Sequence, residues 1–308
     1  MGRLVVVGSL NMDLVVRVPR LPAPGETILG GQPRHVGGGK GANQALTCAR
    51  LGAEVTMLGS VGRDENGERL LAGLQAAGVD VSAVQRLAGE TTGLAIIAVD
   101  DRGANNIIVS PGANLATSPE YVDLQRRRFA EADAVLAQLE IPLETVTRAA
   151  GLAKSLGKLM VLDPAPAAPL PDALYALVDL IKPNEIELAH LTGLPTRTLA
   201  EAETAARRLL ARGAGRVLAT LGAQGALLVE PAGTLHVPAR QDVQVRDTTA
   251  AGDSFTAAAV RLLLDGHSLA EAARFAVAVA GVVVSRPGAQ SSIPDAAEVA
   301  ALMPPRPA

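Results

Sequence analysis

The chain has no tryptophan, two tyrosines and three phenylalanines, so aromatics make up only 2% of 308 residues although hydrophobic residues make up 48%. Its core must therefore be built from Val, Leu, Ile and Ala, and recognition by aromatic stacking is nearly excluded. A single cysteine, Cys48, rules out an internal disulfide and fits a reducing compartment. Lying inside an apolar helical run, it reads as a core residue rather than a nucleophile. Basic charge is also lacking, with a net charge of −3 and one short arginine run, Arg126 to Arg128. That run reads as a solvated helix face, and a nucleic-acid partner finds no support. The longest apolar run, FAVAVAGVVV at 275–284, is roughly half the span of a membrane helix and reads as a buried helix. The opening MGRLVVVGS has too short an apolar stretch for a secretory signal. These absences predict a soluble cytoplasmic protein. His35, His190, His236 and His267 share no zinc-ligand spacing.

At this length, near the size where single cores stop growing, one large α/β domain with a small appendage is expected. LVVVGS at 4–9 has the β-branched run of a buried parallel strand. The rhythm of strand and helix then continues through a helix at 41–50, strands at 54–59, 134–138, 159–162 and 216–220, and helices at 66–77, 143–155 and 199–212. Such alternation predicts a parallel sheet with helices on both faces. Two stretches break the rhythm. Residues 14–36, rich in Pro and Gly, and 91–114, with a turn at Asp100 to Gly103, read as exposed antiparallel strands forming a small separate sheet. The last third, 252–264 and 269–285, reads as helix, and MPPRPA closes the chain as a proline-rich tail.

Two glycine-rich helix starts stand out. In HVGGGKGANQA, 35–45, glycines precede Lys40 and leave helix amides accessible to a ligand. A P-loop fails here because Gly41 stands where Ser or Thr is required. Gly37, Gly39 and Ala42 match a dinucleotide spacing, but no buried strand leads directly into them. In DTTAAGDSFTA, 247–257, Asp253 sits at a helix start behind Ala251 and Gly252. Asp253 is either an N-cap for that helix or a base beside a phosphate held by the turn amides and the helix dipole. Polar residues at other strand ends, Asn11, Asp13, Glu140, Asp163 and Lys182 to Glu187, share the place where an open parallel sheet binds ligands.

In combination these motifs resemble the ribokinase branch of the PfkB carbohydrate kinase family. GGKGANQA at 38–45 and DTTAAGDSF at 247–255 are similar to its two signatures, and GSLNMD, PGET, LGAEV, DPAP, KPNE, TLGAQG and RPGAQSSIP follow its other blocks in order. The resemblance implies a Rossmann-like three-layer α/β/α sandwich over 1–308, with a β-sheet lid from about 14–36 and 91–114 that also forms a homodimer contact. It implies ATP-dependent phosphorylation of D-ribose at O5, with Mg²⁺ and K⁺. By motif position, Asp253 is the implied base and Ala250, Ala251 and Gly252 the anion hole. Asn11, Asp13, Gly39, Lys40, Asn43 and Glu140 are the implied sugar contacts, with Asp253. Asn184, the turn Thr220, Leu221, Gly222, Ala223, Gln224 and Gly225, and Gly252 are the implied nucleotide contacts. Asp247, Thr249, Val283, Arg286, Gly288 and Ser292 are the implied potassium ligands, several through carbonyls.

Three positions depart from that pattern. Asp163 stands where Asn is frequent, Lys182 where Thr is common, and Val277 where a polar residue can approach adenine. They bear on nucleotide contacts, not on the base or the sugar clamp. The Asn11 and Asp13 pair favours a substrate with adjacent hydroxyls; kinases of 2-deoxyribose, fructose or adenosine are the neighbouring alternatives, and two Tyr, three Phe and no Trp give a nucleoside base little to stack on. A sugar sensor without turnover would have no need for Asp253, and a nicotinamide-dependent dehydrogenase would need the misplaced glycine fingerprint.

Overall fold

The computed structural model describes residues 2–305; Met1 and the last three residues of the proline-rich tail lie outside it. In chain order its strands are β1 (Arg3–Val7), β2 (Asn11–Arg17), β3 (Arg34–Gly38), β4 (Glu54–Gly62), β5 (Asp80–Leu87), β6 (Gly93–Val99), β7 (Asn105–Ser110), β8 (Ala134–Ala137), β9 (Leu159–Leu162), β10 (Leu180–Ile181), β11 (Val217–Thr220), β12 (Ala226–Glu230) and β13 (Gly233–Val237). The large sheet runs β13-β12-β11-β10-β9-β8-β1-β4-β5. From β11 to β5 every pairing is parallel, and β12 and β13 add an antiparallel margin.

Side-chain alternation along β1 shows how the layers form. Leu4 and Val6 enter a core with Leu46, Val260 and Val279 from the helices Lys40–Arg50, Ala251–Leu264 and Leu269–Val284. Val5 and Val7 enter the opposite core with Val146 and Leu209 from the helices Leu143–Ser155 and Leu199–Ala211. Both faces of the strand are buried, which explains its unbroken apolar run. The apolar stretch at 275–284 belongs to a helix that starts in a capping box, Ser268 with Glu271. Among the described residues no helix is long and apolar enough to cross a membrane. Arg126, Arg127 and Arg128 lie on a short helix, where Arg127 pairs with Glu131 at 2.7 Å on the solvent side.

The three-layer α/β/α arrangement with a second, small sheet is therefore as the sequence predicts. That second sheet runs β3-β2-β6-β7. The expectation of purely antiparallel strands there needs correction, because β2 and β6 pair in parallel from Asn11–Gly93 to Arg17–Val99. Between them the chain passes through β3, β4, β5 and the helices Lys40–Arg50 and Glu65–Ala76, the long crossover that parallel pairing requires. Strand β5 itself escapes the rhythm read from the sequence. As an edge strand it alternates buried Val81 and Ala83 with exposed Asp80 and Ser82, so it shows no continuous apolar run.

Gly41 fixes how closely the Lys40–Arg50 helix meets the end of β1. A Cβ there would stand 2.6 Å from the Ser9 nitrogen and 2.8 Å from its carbonyl oxygen, whereas one on Gly151 would meet nothing within 4 Å. Gly41→Ala is expected to lower stability by about 1–3 kcal/mol through overpacking, and Gly151→Ala, inside a helix, to raise it by up to about 1 kcal/mol. Chemical denaturation of the two variants measures both.

Candidate active site

Because the central strands are parallel, their carboxyl ends share one edge of the sheet, and the chain leaves that edge at Gly8, Gln138, Asp163 and Lys182. Two helices begin above it. The Lys40–Arg50 helix starts after Gly39, whose φ of 88° is a left-handed conformation natural to glycine. The Ala251–Leu264 helix starts after Ala250, and that residue alone among non-glycines has positive φ, 59°, within the described chain. Such a conformation is strained for an L residue with a Cβ and is characteristic of functional turns.

Asp253 is 7% exposed and makes no cap hydrogen bond to its own helix. Its Oδ2 accepts from Asn43 Nδ2 at 2.9 Å and its Oδ1 from Gln44 Nε2 at 3.2 Å. The N-cap reading is thereby set aside: the carboxylate is oriented by side chains of the other helix. A carboxylate offers about four acceptor sites, so lone pairs remain after these two bonds.

Around Asp253 the other predicted residues on the β2 side converge. Asn11 and Asp13 lie two apart on β2 and so share a face. Asn11 is fixed by Asn114, whose Nδ2 donates to Asn11 Oδ1 at 2.7 Å while its own Oδ1 accepts the Leu10 amide at 2.9 Å. Gly38 leaves room for Asp13, since a Cβ there would fall 2.4 Å from the Asp13 carboxylate. Glu140 Oε2 accepts from Ser9 Oγ at 2.5 Å, from the Lys40 amide at 3.1 Å and from Asn11 Nδ2 at 3.5 Å, which places a negative charge at a helix start.

Burial and neighbouring carboxylates together control protonation here. Burial first, then the charges of Glu140 and Asp253, push Asp13 up to about 7. Burial works against the Lys40 ammonium, but Asp253, Asp163, Glu140 and Glu187 outweigh it and hold Lys40 above the ordinary lysine value.

On the other side of Gly252 opens a cavity of about 630 Å³. Asn184, Thr220, Gly222, Ala223, Gly225 and Gly252 line it, while Leu221 and Gln224 of the same turn do not. Val277, Gly281, Val284 and Phe255 give it an apolar wall. Asn184 also has structural work: it caps the helix Glu185–Thr192 in a reciprocal box with Glu187. Burial raises the Glu187 carboxyl, against the lowering influence of Lys182. At the turn itself, the Ala251 amide donates to the Thr248 carbonyl at 3.2 Å, while Gly252 and Asp253 amides have no acceptor within the helix, as at any helix start.

The residues Asp247, Thr249 and Gly288 are joined directly. Asp247 Oδ1 accepts from the Thr249 amide and hydroxyl at 2.9 and 2.6 Å, and Oδ2 accepts the Gly288 amide at 2.8 Å. Burial opposes these bonds, yet they keep the carboxyl below its usual range. The Val283 carbonyl accepts the Arg286 amide at 3.1 Å, and the buried Ser292 hydroxyl donates to the Ala289 carbonyl at 2.6 Å.

Four residues joined to this site were given no role by the resemblance. Gln44 links Asp253 to Asp163, donating to Asp163 Oδ2 at 2.8 Å, and Gln138 Nε2 donates to Gln44 Oε1 at 2.5 Å. Thr256 Oγ1 donates to the same Asp163 oxygen at 3.0 Å. Asn114 is the fourth. Gln44 was visible as a polar residue inside the glycine-rich helix start GGKGANQA; Asn114 carried no such signal.

Comparison with known proteins accords with this geometry. The model of the pfkB family carbohydrate kinases matches residues 1–296. A ribokinase of Haemophilus influenzae is 41% identical over 94% of this chain and 95% of its own. A deoxyribokinase of Salmonella typhi is 35% identical over 94% and 95% respectively. The solved structure of Arabidopsis thaliana ribokinase complexed with ribose and ATP superposes with a TM-score of 0.92, 36% identity and coverage of 98% of this chain and 99% of that one. With the helix starts, the strand-end polar residues and a family match over nearly its whole length, the chain belongs to the pfkB family of carbohydrate kinases.

Proposed function

We propose that this protein transfers the γ-phosphoryl group of ATP to O5 of D-ribose, giving D-ribose 5-phosphate and ADP. One observation carries the reading: Asp253 is buried against Asn43 on one side, and its neighbour Gly252 lines the large cavity on the other. An acceptor hydroxyl and a nucleotide terminus therefore meet at one helix start.

In this reading Asn11, Asp13, Lys40, Asn43 and Glu140 bind the sugar hydroxyls, with the Gly39 backbone alongside. O5–H donates to Asp253. As the new O5–P bond forms, the proton passes to the carboxylate, and the bond from phosphorus to the β,γ-bridging oxygen breaks with its electron pair leaving on ADP. The amides of Ala250, Ala251 and Gly252 stabilise the equatorial oxygens, which requires Ala251 to share or release its bond to Thr248. The apolar wall at Val277 receives the base, and Asn184 and the 220–225 turn border the phosphates.

Mg²⁺ bound to the nucleotide would supply charge neutralisation at the phosphates and needs only one or two carboxylates from the chain; Glu187, whose carboxylate pairs with the cavity-lining Asn184, would be the one to hold it. The oxygens of Asp247 and Thr249 and the carbonyls of Val283, Arg286, Gly288 and Ser292 suit a hard monovalent cation such as K⁺, which would order the loop before the anion hole. The second sheet would act as a lid. Its edge strand β7 exposes Ile107, Ile108 and Val109, and such an unpaired apolar edge favours a second copy of the chain. A cytoplasmic location suits the free thiol of Cys48.

ADP release with ribose, 2-deoxyribose, fructose and adenosine, with and without K⁺ and with Mg²⁺ chelated, tests the reading. Ribose should be the best acceptor; tight ribose binding with no turnover on any sugar would leave a sensor instead. Asp253→Asn should lower kcat by roughly 10² or more with the ribose Kd nearly unchanged; equal losses of binding and turnover would point to a structural part. For Asp13 the folded carboxyl lies above its unfolded value of 3.8, so the protonated form stabilises the free protein below that value and the contribution is lost as pH rises through about 7. Asp13→Asn should thus raise Tm at pH 8 relative to wild type, with a smaller difference at pH 4, while kcat/KM of wild type falls below pH about 7 as Asp13 takes up a proton. Ile108→Lys should yield a monomer in sedimentation measurements where the wild type is a dimer.

A further inference from the structure

Asp163 and Lys182 leave the ends of the adjacent parallel strands β9 and β10, and their side chains pair at 3.0 Å with exposures of 1% and 5%. Removing two charges from water costs several kcal/mol per ion, and apolar replacement of such a pair is often neutral or stabilising. Stability is therefore a poor reason for this pair to exist. Its geometry supplies a better one. The Lys182 Nζ lies 3.7 Å from the point a Cβ on Gly252 would occupy. An ammonium thus stands against the positive end of the Ala251–Leu264 helix, an arrangement that is repulsive until an anion lies between them.

The anchoring is one-sided. Asp163 Oδ2 gathers Lys182 Nζ, Gln44 Nε2 at 2.8 Å and Thr256 Oγ1 at 3.0 Å, while the buried Oδ1 takes no hydrogen bond among the described residues. A lysine ammonium carries three donors, and Asp163 engages it through one oxygen. Gly252 has no side chain to stand between Nζ and the cavity that Gly252 lines. Through Gln44, the oxygen that holds Lys182 also shares a donor with the Asp253 carboxylate, so base and ammonium are set by one buried network.

We propose that Lys182, anchored by Asp163, is a catalytic contact to the transferring phosphoryl group, adding a full positive charge to the amides of the 250–252 turn. The proposal rests on the kinase reading above. Lys182 donates a hydrogen bond to a γ-phosphate oxygen, and the proton from the acceptor hydroxyl still goes to Asp253. The charge opposes the negative charge that the phosphoryl oxygens carry in flight.

The test uses the paired change Asp163→Asn with Lys182→Met. It removes both charges together, leaving no lone buried ion, and the amide oxygen can still accept from Gln44 and Thr256. Thermal unfolding should show a Tm equal to or above that of the wild type. Titration calorimetry should show ADP bound as by the wild type and the non-hydrolysable analogue AMP-PNP bound about ten-fold more weakly, the scale of one charge-assisted hydrogen bond. The kcat with ribose should fall at least as far, with the ribose Kd unchanged. AMP-PNP affinity equal in both proteins, or ADP and AMP-PNP weakened alike, overturns the proposal. A retained AMP-PNP difference in a wild-type protein that turns over no sugar supports the Lys182 contact and overturns the ribose kinase reading alone.

Discussion

Asp253 accepts one hydrogen bond from Asn43 and one from Gln44, and these two bonds tie the start of the Ala251–Leu264 helix to the start of the Lys40–Arg50 helix. Each helix start carries a partial positive charge of about half a unit. Bringing two of them to one sheet edge creates a field that favours anions, and the carboxylates of Asp253, Glu140, Asp163 and Asp13 answer it. The parallel sheet makes that meeting possible, since its strands deliver their polar end residues to the same edge.

The same crowding gives the two halves of the site different chemistry. Near β2 burial, and then the charges of Glu140 and Asp253, hold the Asp13 proton to about 7, while burial works against the Lys40 charge and its acidic neighbours outweigh it. Across Gly252 the field is reversed: the amides of the helix start border an apolar-walled cavity, and Lys182 Nζ lies 3.7 Å from where a Gly252 Cβ would stand. A hydroxyl to be deprotonated suits the first environment, and a polyphosphate the second. Asp253 and Gly252, adjacent in sequence, stand at the border between them.

Most of this order was legible in the chain. Fully buried strands such as β1 announce themselves because both faces must be apolar, and the glycine-rich helix starts are conspicuous because close approach excludes a Cβ, as at Gly38 and Gly41. What escaped depends on partners distant in sequence. Strand β5 is half exposed, and its buried Val81 and Ala83 alternate with polar residues, which leaves no continuous apolar run. The parallel pairing of β2 with β6 is set by the path of the chain, which no local pattern encodes. Asn114 matters only because residues 104 positions away fold against it. The N-cap alternative for Asp253 was equally invisible to spacing, since an aspartate at a helix start looks the same whether it bonds its own amides or another helix's side chains. Asp163 and Lys182 were each readable as strand-end residues, but their burial as a pair was not.

A structure of the protein crystallised with ribose and AMP-PNP tests the central claim most directly. The account predicts ribose O5 within hydrogen-bonding distance of the Asp253 carboxylate, with the terminal phosphate on the amides of the 250–252 turn and in line with O5. A sugar presenting another hydroxyl to Asp253, or a nucleotide seated away from Gly252, would contradict it.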